Sequence, residues 1–196
     1  METEQQDLSG LIPRMRACRL CADLPLGPNP LFQLSPGTRI LIAGQAPGRL
    51  THAKGRPFDD PSGVRLRGWL GLSEAGFYED PRVGIFPMGL CFPGSGTGGD
   101  LPPRVECAQA WRGPVMGALG GLELSLVLGK YAIDWHLPQL KGASVTEAVR
   151  QTSQGEGGIF VLPHPSPRNN RWLRNNPWFE GEVLGRIRAA VGRALT

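Results

Sequence analysis

The strongest constraint on the fold of this chain is a set of four short, uninterrupted apolar runs that end in glycine or at a proline. They occupy residues 39–44 (RILIAG), 83–89 (VGIFPMG), 124–129 (LSLVLG) and 159–164 (IFVLPH). Strands that are covered on both faces carry continuous apolar runs of this length, whereas strands with one solvent-exposed face alternate apolar and polar residues. The four runs therefore predict a small, buried, mainly parallel sheet.

Candidate helices alternate with these runs. They are residues 8–18, 64–72, 104–119, 144–151 and 179–195. This alternation predicts an α/β domain with three layers, α/β/α, a central four-stranded, mainly parallel sheet, and ligand-binding loops at the carboxyl ends of the strands. A chain of 196 residues is short for two domains. We therefore expect a single domain over residues 1–196, in which residues 1–36 form an appendage made of a helix and a loop.

The charge balance favours a polyanionic partner. The chain has 21 Lys and Arg against 17 Asp and Glu, which gives a net charge of +4, and only three of the basic residues are lysines. Arginine presents a planar fork of donors that suits phosphate. Because the excess is modest, the charge is consistent with nucleic-acid binding without establishing it.

The sequence contains no sign of a membrane segment. No apolar run approaches the roughly 20 residues of a membrane span. The polar N-terminus (METEQQDLSG) lacks the basic-then-apolar pattern of a secretory signal. We expect a cytoplasmic protein without membrane contact, in which reducing conditions leave the cysteines unpaired.

The four cysteines are candidate metal ligands. Cys18 and Cys21 have the chelating C-x-x-C spacing, Cys91 follows the second predicted strand, and Cys107 opens a predicted helix. Four thiolates can hold either a tetrahedral Zn²⁺ or a 4Fe–4S cluster. Since only one pair has chelating spacing, the alternative is that the cysteines are small buried apolar side chains.

Two strand ends carry residues that suit chemistry on a ligand. The first run is followed by a glycine-rich turn whose backbone amides can approach a ligand closely, formed by Gly44, Gln45, Ala46, Pro47 and Gly48. After the last run, His164 is held between two prolines, which suits an electrostatic stabiliser or a proton donor. Ser166 and Arg168 follow it and could hold phosphates.

A third segment, residues 55–63 (GRPFDDPSG), places the aromatic Phe58 beside the carboxylates of Asp59 and Asp60. The alternative roles are a core position for Phe58 and a helix cap for Asp60, because Asp60-Pro61 is a good cap and first-turn pair.

In this order, the segments resemble the uracil-DNA glycosylase superfamily, and within it the bacterial and archaeal families that hold an iron–sulfur cluster. The resemblance extends from Cys18 to about Trp178 and rests on five landmarks. These are the C-x-x-C pair, the first motif at 44–48 (GQAPG), the G-R-x-F at 55–58, the two mid-chain cysteines and the H-P-S-P at 164–167.

The resemblance implies a monomer that flips a damaged base out of DNA and hydrolyses its bond to deoxyribose. Phe58 matches the aromatic that stacks on the base, and His164 matches the residue that stabilises the leaving base. The four cysteines match the ligands of a structural 4Fe–4S cluster, with zinc as the alternative. The first motif, Ser166 and Asn169 then belong to the substrate pocket. Arg168, Arg171 and Arg174 are candidate DNA contacts, although the segment 169–176 (NNRWLRNN) could equally be a helix-capping loop.

Two departures from the family pattern affect the expected activity. Several families carry a catalytic Glu or Asp where this chain has Gln45 and Ala46, so we expect Asp60 to replace it, with Asp59 as the second candidate. Pro87 falls near the asparagine that reads uracil in strict uracil enzymes. Without that amide we expect a broader specificity for deaminated bases, which includes uracil and extends to hypoxanthine or xanthine.

Two other functions remain open. The missing first-motif carboxylate is consistent with a weakly active or inactive nucleic-acid-binding protein on the same fold. A nucleotide-processing enzyme is less well supported, because the sequence has neither a P-loop lysine nor a G-x-G-x-x-G motif.

Overall fold

The structure, a computed structural model, describes residues 7–196. The six strands are β1 (Ile40–Ala43), β2 (Val83–Ile85), β3 (Ser95–Gly96), β4 (Gly99–Asp100), β5 (Leu124–Leu128) and β6 (Ile159–Leu162). Four of them form the central sheet in the order β2-β1-β5-β6, with every neighbouring pair parallel. Each of these four lies within one of the apolar runs, so the predicted sheet is confirmed with shorter strand ends.

The helices are α1 (Leu8–Arg16), α2 (Arg49–Lys54), α3 (Pro61–Leu70), α4 (Glu74–Tyr78), α5 (Val105–Ala118), α6 (Lys130–His136), α7 (Val145–Gln151), α8 (Asn170–Asn175) and α9 (Leu184–Ala194). A π-helical turn at Phe179–Val183 precedes α9. The five predicted helices correspond to α1, α3, α5, α7 and α9. The four helices that were not predicted have only five to seven residues, too few to show a helical apolar period. Within residues 7–196, no helix combines the length and apolar character that crossing a membrane requires.

The sheet is buried on both faces, which explains the continuous apolar runs. On β1, Ile40 and Ile42 pack into one apolar cluster with residues of α3 and α9, whereas Leu41 packs into a second cluster with residues of α1 and α5. Successive residues of a strand point to opposite faces. The α/β/α layering is therefore confirmed, with helices against each face of the sheet.

The described part of the predicted appendage, residues 7–36, packs against the domain. Leu8, Leu11 and Met15 of α1 are fully buried in the second apolar cluster. Further on, Gln33 forms an isolated antiparallel bridge with Ile85 at the end of β2. Its side-chain amide also donates to the carbonyl oxygens of Phe77 and Val83. The segment is thus fixed to the edge strand of the sheet.

Candidate active site

A cavity of about 550 Å³ lies at the carboxyl ends of the sheet strands. Its wall is formed by the turn after β1, the segment before α3, the end of β2, the β3–β4 hairpin and the turn after β6. Parallel α/β sheets usually bind ligands at this edge. The cavity is thus in the expected place and large enough for a small molecule or a nucleobase.

Many of the residues singled out in the sequence line this cavity. They are Gly44, Gln45, Ala46, Pro47, Gly48, Phe58, Asp60, His164, Ser166, Arg168 and Asn169. Phe58, Asp60 and His164, which are far apart in the sequence, are brought together here. Asp59, Arg171 and Arg174 are not among the lining residues. Arg171 and Arg174 are exposed on α8, which follows the His164 turn.

Phe58 is held in an unusual backbone conformation. Its φ is +56°, and no other non-glycine residue within 7–196 has a positive φ. Its ring packs edge-on against Phe77, with 6.4 Å between ring centroids. Non-glycine residues with positive φ are uncommon and often occur at functional sites. The tight turn places the ring at the cavity, with one edge in the core.

Asp60 caps helix α3. Its Oδ1 accepts a hydrogen bond of 2.9 Å from the backbone N–H of Gly63, and Pro61 occupies the first helical turn. The helix therefore begins at Pro61 rather than at the predicted residue 64, because the cap replaces the missing backbone partner. Asp60 thus has the capping role considered for it and lines the cavity as well.

Asp59 faces a different group of charges. Its carboxylate binds Lys54 Nζ at 2.9 Å and Arg56 Nε at 3.0 Å. The hydrogen bond from Lys54 is the main reason that the pKa of Asp59 is lowered. With its charge balanced by two cations away from the cavity, Asp59 is poorly placed to act on a ligand there.

His164 is fixed in orientation and in tautomer. The backbone N–H of Ser166 donates to its Nδ1 at 3.2 Å, so in the neutral ring the proton is on Nε2. Burial lowers the pKa of His164, and the negative charges of Asp60 and Asp100 oppose that effect. His164 is therefore a neutral imidazole with one N–H available as a donor.

The turn that carries His164 is held from two sides. Asn169 Nδ2 donates to the carbonyl oxygen of His164 at 2.9 Å. Arg65, one turn into α3, donates to the carbonyl oxygens of Pro165 at 3.3 Å and Ser166 at 3.2 Å. Arg65 was not singled out in the sequence, and nothing in the local pattern distinguishes it from a solvated helix residue.

Asp100 is a second carboxylate at the cavity that sequence analysis missed. It lies on β4, where its Oδ1 accepts a hydrogen bond of 3.2 Å from Ser95 Oγ across the hairpin. The glycine-rich segment 94–99 (GSGTGG) was the available signal, since clusters of glycine and serine mark turns.

A buried cation lies behind the cavity floor at Pro87. The side chain of Arg112 is fully buried, and its Nη1 donates to the carbonyl oxygens of Phe86 at 2.9 Å and Pro87 at 3.1 Å. Its Nη2 contacts Nε2 of His136. Burial lowers the pKa of Arg112 to about 9 and that of His136 to about 3. At neutral pH, a charged arginine therefore binds a neutral histidine.

The four cysteines line a second, smaller pocket with apolar walls. Backbone N–H of Leu90 donates to Cys107 Sγ at 3.3 Å. Burial raises the pKa of Cys91 to about 11 and that of Cys107 to about 12. In the described part of the chain, however, no group of three or more His, Cys, Asp and Glu side chains is arranged to hold a metal ion. The thiols share a pocket without meeting at one point.

Comparison with known proteins gives a family match and a structural likeness. The chain is similar to the solution NMR structure of a candidate uracil DNA glycosylase from Methanosarcina acetivorans, with 21% identity and a TM-score of 0.48. That match covers 80% of this chain and 93% of the other. Residues 32–188 match the model of the uracil DNA glycosylase superfamily. Since this match spans most of the chain, the protein belongs to the uracil DNA glycosylase superfamily.

Proposed function

We propose that the protein is a monofunctional DNA glycosylase that excises uracil from DNA and also accepts other deaminated bases such as hypoxanthine or xanthine. The observation that carries this proposal is the meeting of Phe58, Asp60 and His164 at one cavity in a member of this superfamily. An aromatic face, a carboxylate and a neutral imidazole are the groups that base excision requires.

Binding of a flipped base is supported by the cavity and by Phe58. A base that leaves the duplex loses its stacking partners, and an aromatic ring restores part of that energy. The tight turn at Phe58, with its positive φ, fixes the backbone of this residue, so the ring would be in place before the base binds. Such preorganisation lowers the entropic cost of binding.

His164 would stabilise the departing base. Breaking the glycosidic bond leaves negative charge on the base, which a fixed N–H donor can neutralise. The hydrogen bond from Ser166 leaves the Nε2–H of the neutral ring as the donor. No lysine lines the cavity in residues 7–196, so the reaction fits hydrolysis rather than Schiff-base chemistry.

Asp60 would support the positive charge that develops on the sugar. Its carboxylate lines the cavity, and in the described part of the chain no salt bridge pairs it with a cation. One oxygen caps α3, so the negative charge is fixed in position. Oxocarbenium-like states of this kind are stabilised by nearby carboxylates.

Two features of the cavity bear on base specificity: Pro87 and the first motif. Pro87 has no side-chain donor or acceptor with which to read a base edge. One N–H of the Gln45 amide donates to the carbonyl oxygen of Leu101 at 3.0 Å, which ties this side chain to the β3–β4 hairpin. Without a side-chain amide at position 87, we expect weak discrimination between deaminated bases.

Contacts to the DNA backbone would come from Arg168 at the cavity and from Arg171 and Arg174 on α8. All three are exposed and follow the His164 turn. Arginines next to the flipped nucleotide would hold the flanking phosphates and set the register of the protein on DNA.

The proposal includes a structural 4Fe–4S cluster held by Cys18, Cys21, Cys91 and Cys107. Four cysteine thiolates are a usual ligand set for a 4Fe–4S cluster, and they would also suit Zn²⁺ as the alternative. The support for this proposal is that all four thiols line one pocket with apolar walls. The N–H of Leu90 toward Cys107 Sγ is a contact of the kind that stabilises cluster thiolates. The cluster would link the N-terminal segment to the loop after β2 and to α5.

The test is excision from DNA. Purified protein is incubated with oligonucleotides that contain uracil, hypoxanthine or xanthine, and abasic sites are then cleaved with alkali. We expect a product from uracil and from at least one of the purine lesions, with the surface variant Asp134→Asn as active as the wild type. Salt-sensitive DNA binding without any abasic product would instead indicate a nucleic-acid-binding protein without glycosylase activity. The absence of a carboxylate at positions 45 and 46 is the reason to consider that alternative.

A further inference from the structure

The first motif of this chain cannot supply the group that activates water. Attack on the sugar needs a carboxylate that orients a water molecule and accepts its proton. Gln45 and Ala46 cannot do this, and Asp59 is bound to Lys54 and Arg56 outside the cavity lining. Among residues 7–196, two carboxylates remain at the cavity, those of Asp60 and Asp100.

Asp60 is poorly suited to be the base. Its Oδ1 is bound to the N–H of Gly63 at the start of α3. The amino end of a helix attracts negative charge, and this oxygen already serves there as a hydrogen-bond acceptor. Its fixed charge suits stabilisation of a cation better than removal of a proton.

The β3–β4 hairpin places Asp100 beside the first motif. Its Oδ2 lies against Gly48, where a Cβ added to the glycine would be 3.4 Å from that oxygen. The hydrogen bond from Gln45 to the carbonyl oxygen of Leu101 holds the motif and the hairpin together one residue beyond Asp100. A carboxylate from a distant segment therefore lies beside the motif that lacks one.

The setting of Asp100 leaves it accessible to water. Asp100 is exposed at the cavity, and within residues 7–196 no salt bridge neutralises its charge. Ser95 donates to Oδ1 across the hairpin and so fixes the orientation of the carboxylate. An oriented, unneutralised carboxylate that water can reach is what a general base requires.

We propose that Asp100 orients and deprotonates the attacking water, while Asp60 stabilises the sugar cation. This inference rests on the proposed glycosylase function. As the bond between C1′ and the base nitrogen breaks, its electron pair leaves with the base, which His164 stabilises through Nε2–H. The water oxygen bonds to C1′, and its proton passes to Asp100 and then to the released base through solvent. The products are an abasic sugar with a hydroxyl at C1′ and the neutral base.

The test compares single-turnover excision by Asp100→Asn, Asp60→Asn and the surface control Asp134→Asn, together with binding to uracil-containing DNA. We expect Asp100→Asn to lose at least about a hundredfold in rate, the usual contribution of a general base, with DNA affinity and unfolding temperature unchanged. Wild-type rates in Asp100→Asn would overturn the inference. Absence of excision by the wild-type protein would overturn the glycosylase function as well.

Azide separates water activation from charge stabilisation. Azide attacks carbon without losing a proton, so it needs no base. We expect added azide to restore base release in Asp100→Ala, with a glycosyl azide detected by mass spectrometry, and to have no such effect in Asp60→Ala. A slow Asp100→Ala variant that azide does not restore would contradict the role of Asp100 as base.

Discussion

Gly63 lies directly against the carbonyl oxygen of Phe58. A Cβ built on Gly63 would be 1.7 Å from that oxygen, a distance that no pair of non-bonded atoms tolerates. The positive φ of Phe58 and the missing side chain of Gly63 are therefore two parts of one tight turn. The turn positions the ring proposed to stack on the base, so a small change at Gly63 should act on both stability and excision.

We expect Gly63→Ala to destabilise the protein by about 3 kcal/mol or more, because backbone must move to make room for the methyl group. Excision should fall further than the folded fraction, since the Phe58 ring is displaced. Gly68→Ala is the matched control on the same helix: a Cβ there meets nothing within 4 Å, and alanine favours a helix by up to about 1 kcal/mol. Thermal unfolding and single-turnover excision measure both effects. Equal stability of the two variants would contradict the turn geometry.

Replacement of His164 should slow the chemical step without weakening DNA binding. We expect His164→Ala to lose at least about a hundredfold in excision rate, as for other fixed donors to a developing anion. Burial lowers the pKa of His164, so at a given pH a larger fraction of this ring is neutral than of an exposed histidine. The wild-type rate should therefore not decline between about pH 8 and 6.5 in the manner of an exposed histidine. A steep rise in rate on acidification would show that imidazolium is the active form.

Acid should destabilise the fold through His136. Its pKa in the folded protein is about 3, below the usual value of about 6.5, so protonation favours the unfolded chain. The contribution of neutral His136 to the free energy of unfolding is fully present above about pH 6.5. It decreases as the pH falls toward 3, by at most about 1.4 kcal/mol per pH unit. His136→Gln cannot take up the proton, so its unfolding temperature should fall less steeply between about pH 6.5 and 4.5. Parallel slopes in the two proteins would contradict this assignment.

The cysteine pocket should hold iron and sulfide. Purified protein should be brown, with broad absorption near about 400 nm, and Cys107→Ala should be colourless and unfold on the order of 10 °C lower. Removal of iron by a chelator should lower the unfolding temperature of the wild type and leave that of Cys107→Ala unchanged. Colourless wild-type protein that contains zinc would show that the alternative metal occupies the pocket.

The sheet could be predicted from sequence because burial on both faces leaves a direct signature. Runs such as 124–129 cannot alternate when every residue of β5 is covered. The start of α3 was placed three residues late because the prediction followed apolar residues, whereas Asp60 and Pro61 determine where the helix begins. The short helices and the β3–β4 hairpin lack an apolar period and depend on tertiary contacts.

The site was only partly predictable for a similar reason. Phe58, Asp60 and His164 stand in recognisable motifs. Whether a carboxylate faces a cavity or a pair of cations depends on tertiary structure, which the local sequence does not show. Asp59 and Asp60 are adjacent in sequence and face different surroundings. Asp100 reaches the first motif only through the hairpin, and the Arg112–His136 contact joins α5 to α6. No local pattern predicts such pairings.

Helix α3 supports both sides of the cavity. Its first turn fixes Phe58 through Gly63, and Arg65 in the same helix holds the loop of His164 through two carbonyl oxygens. The Phe58 ring and the turn that carries His164 are therefore both held by the same helix. Under the proposed function, extra room for a bulky purine would come from the other side of the cavity, where Gln45 of the first motif binds Leu101 next to the β3–β4 hairpin. In the proposed glycosylase, tolerance for large lesions would then depend on how easily the β3–β4 hairpin moves away from the first motif.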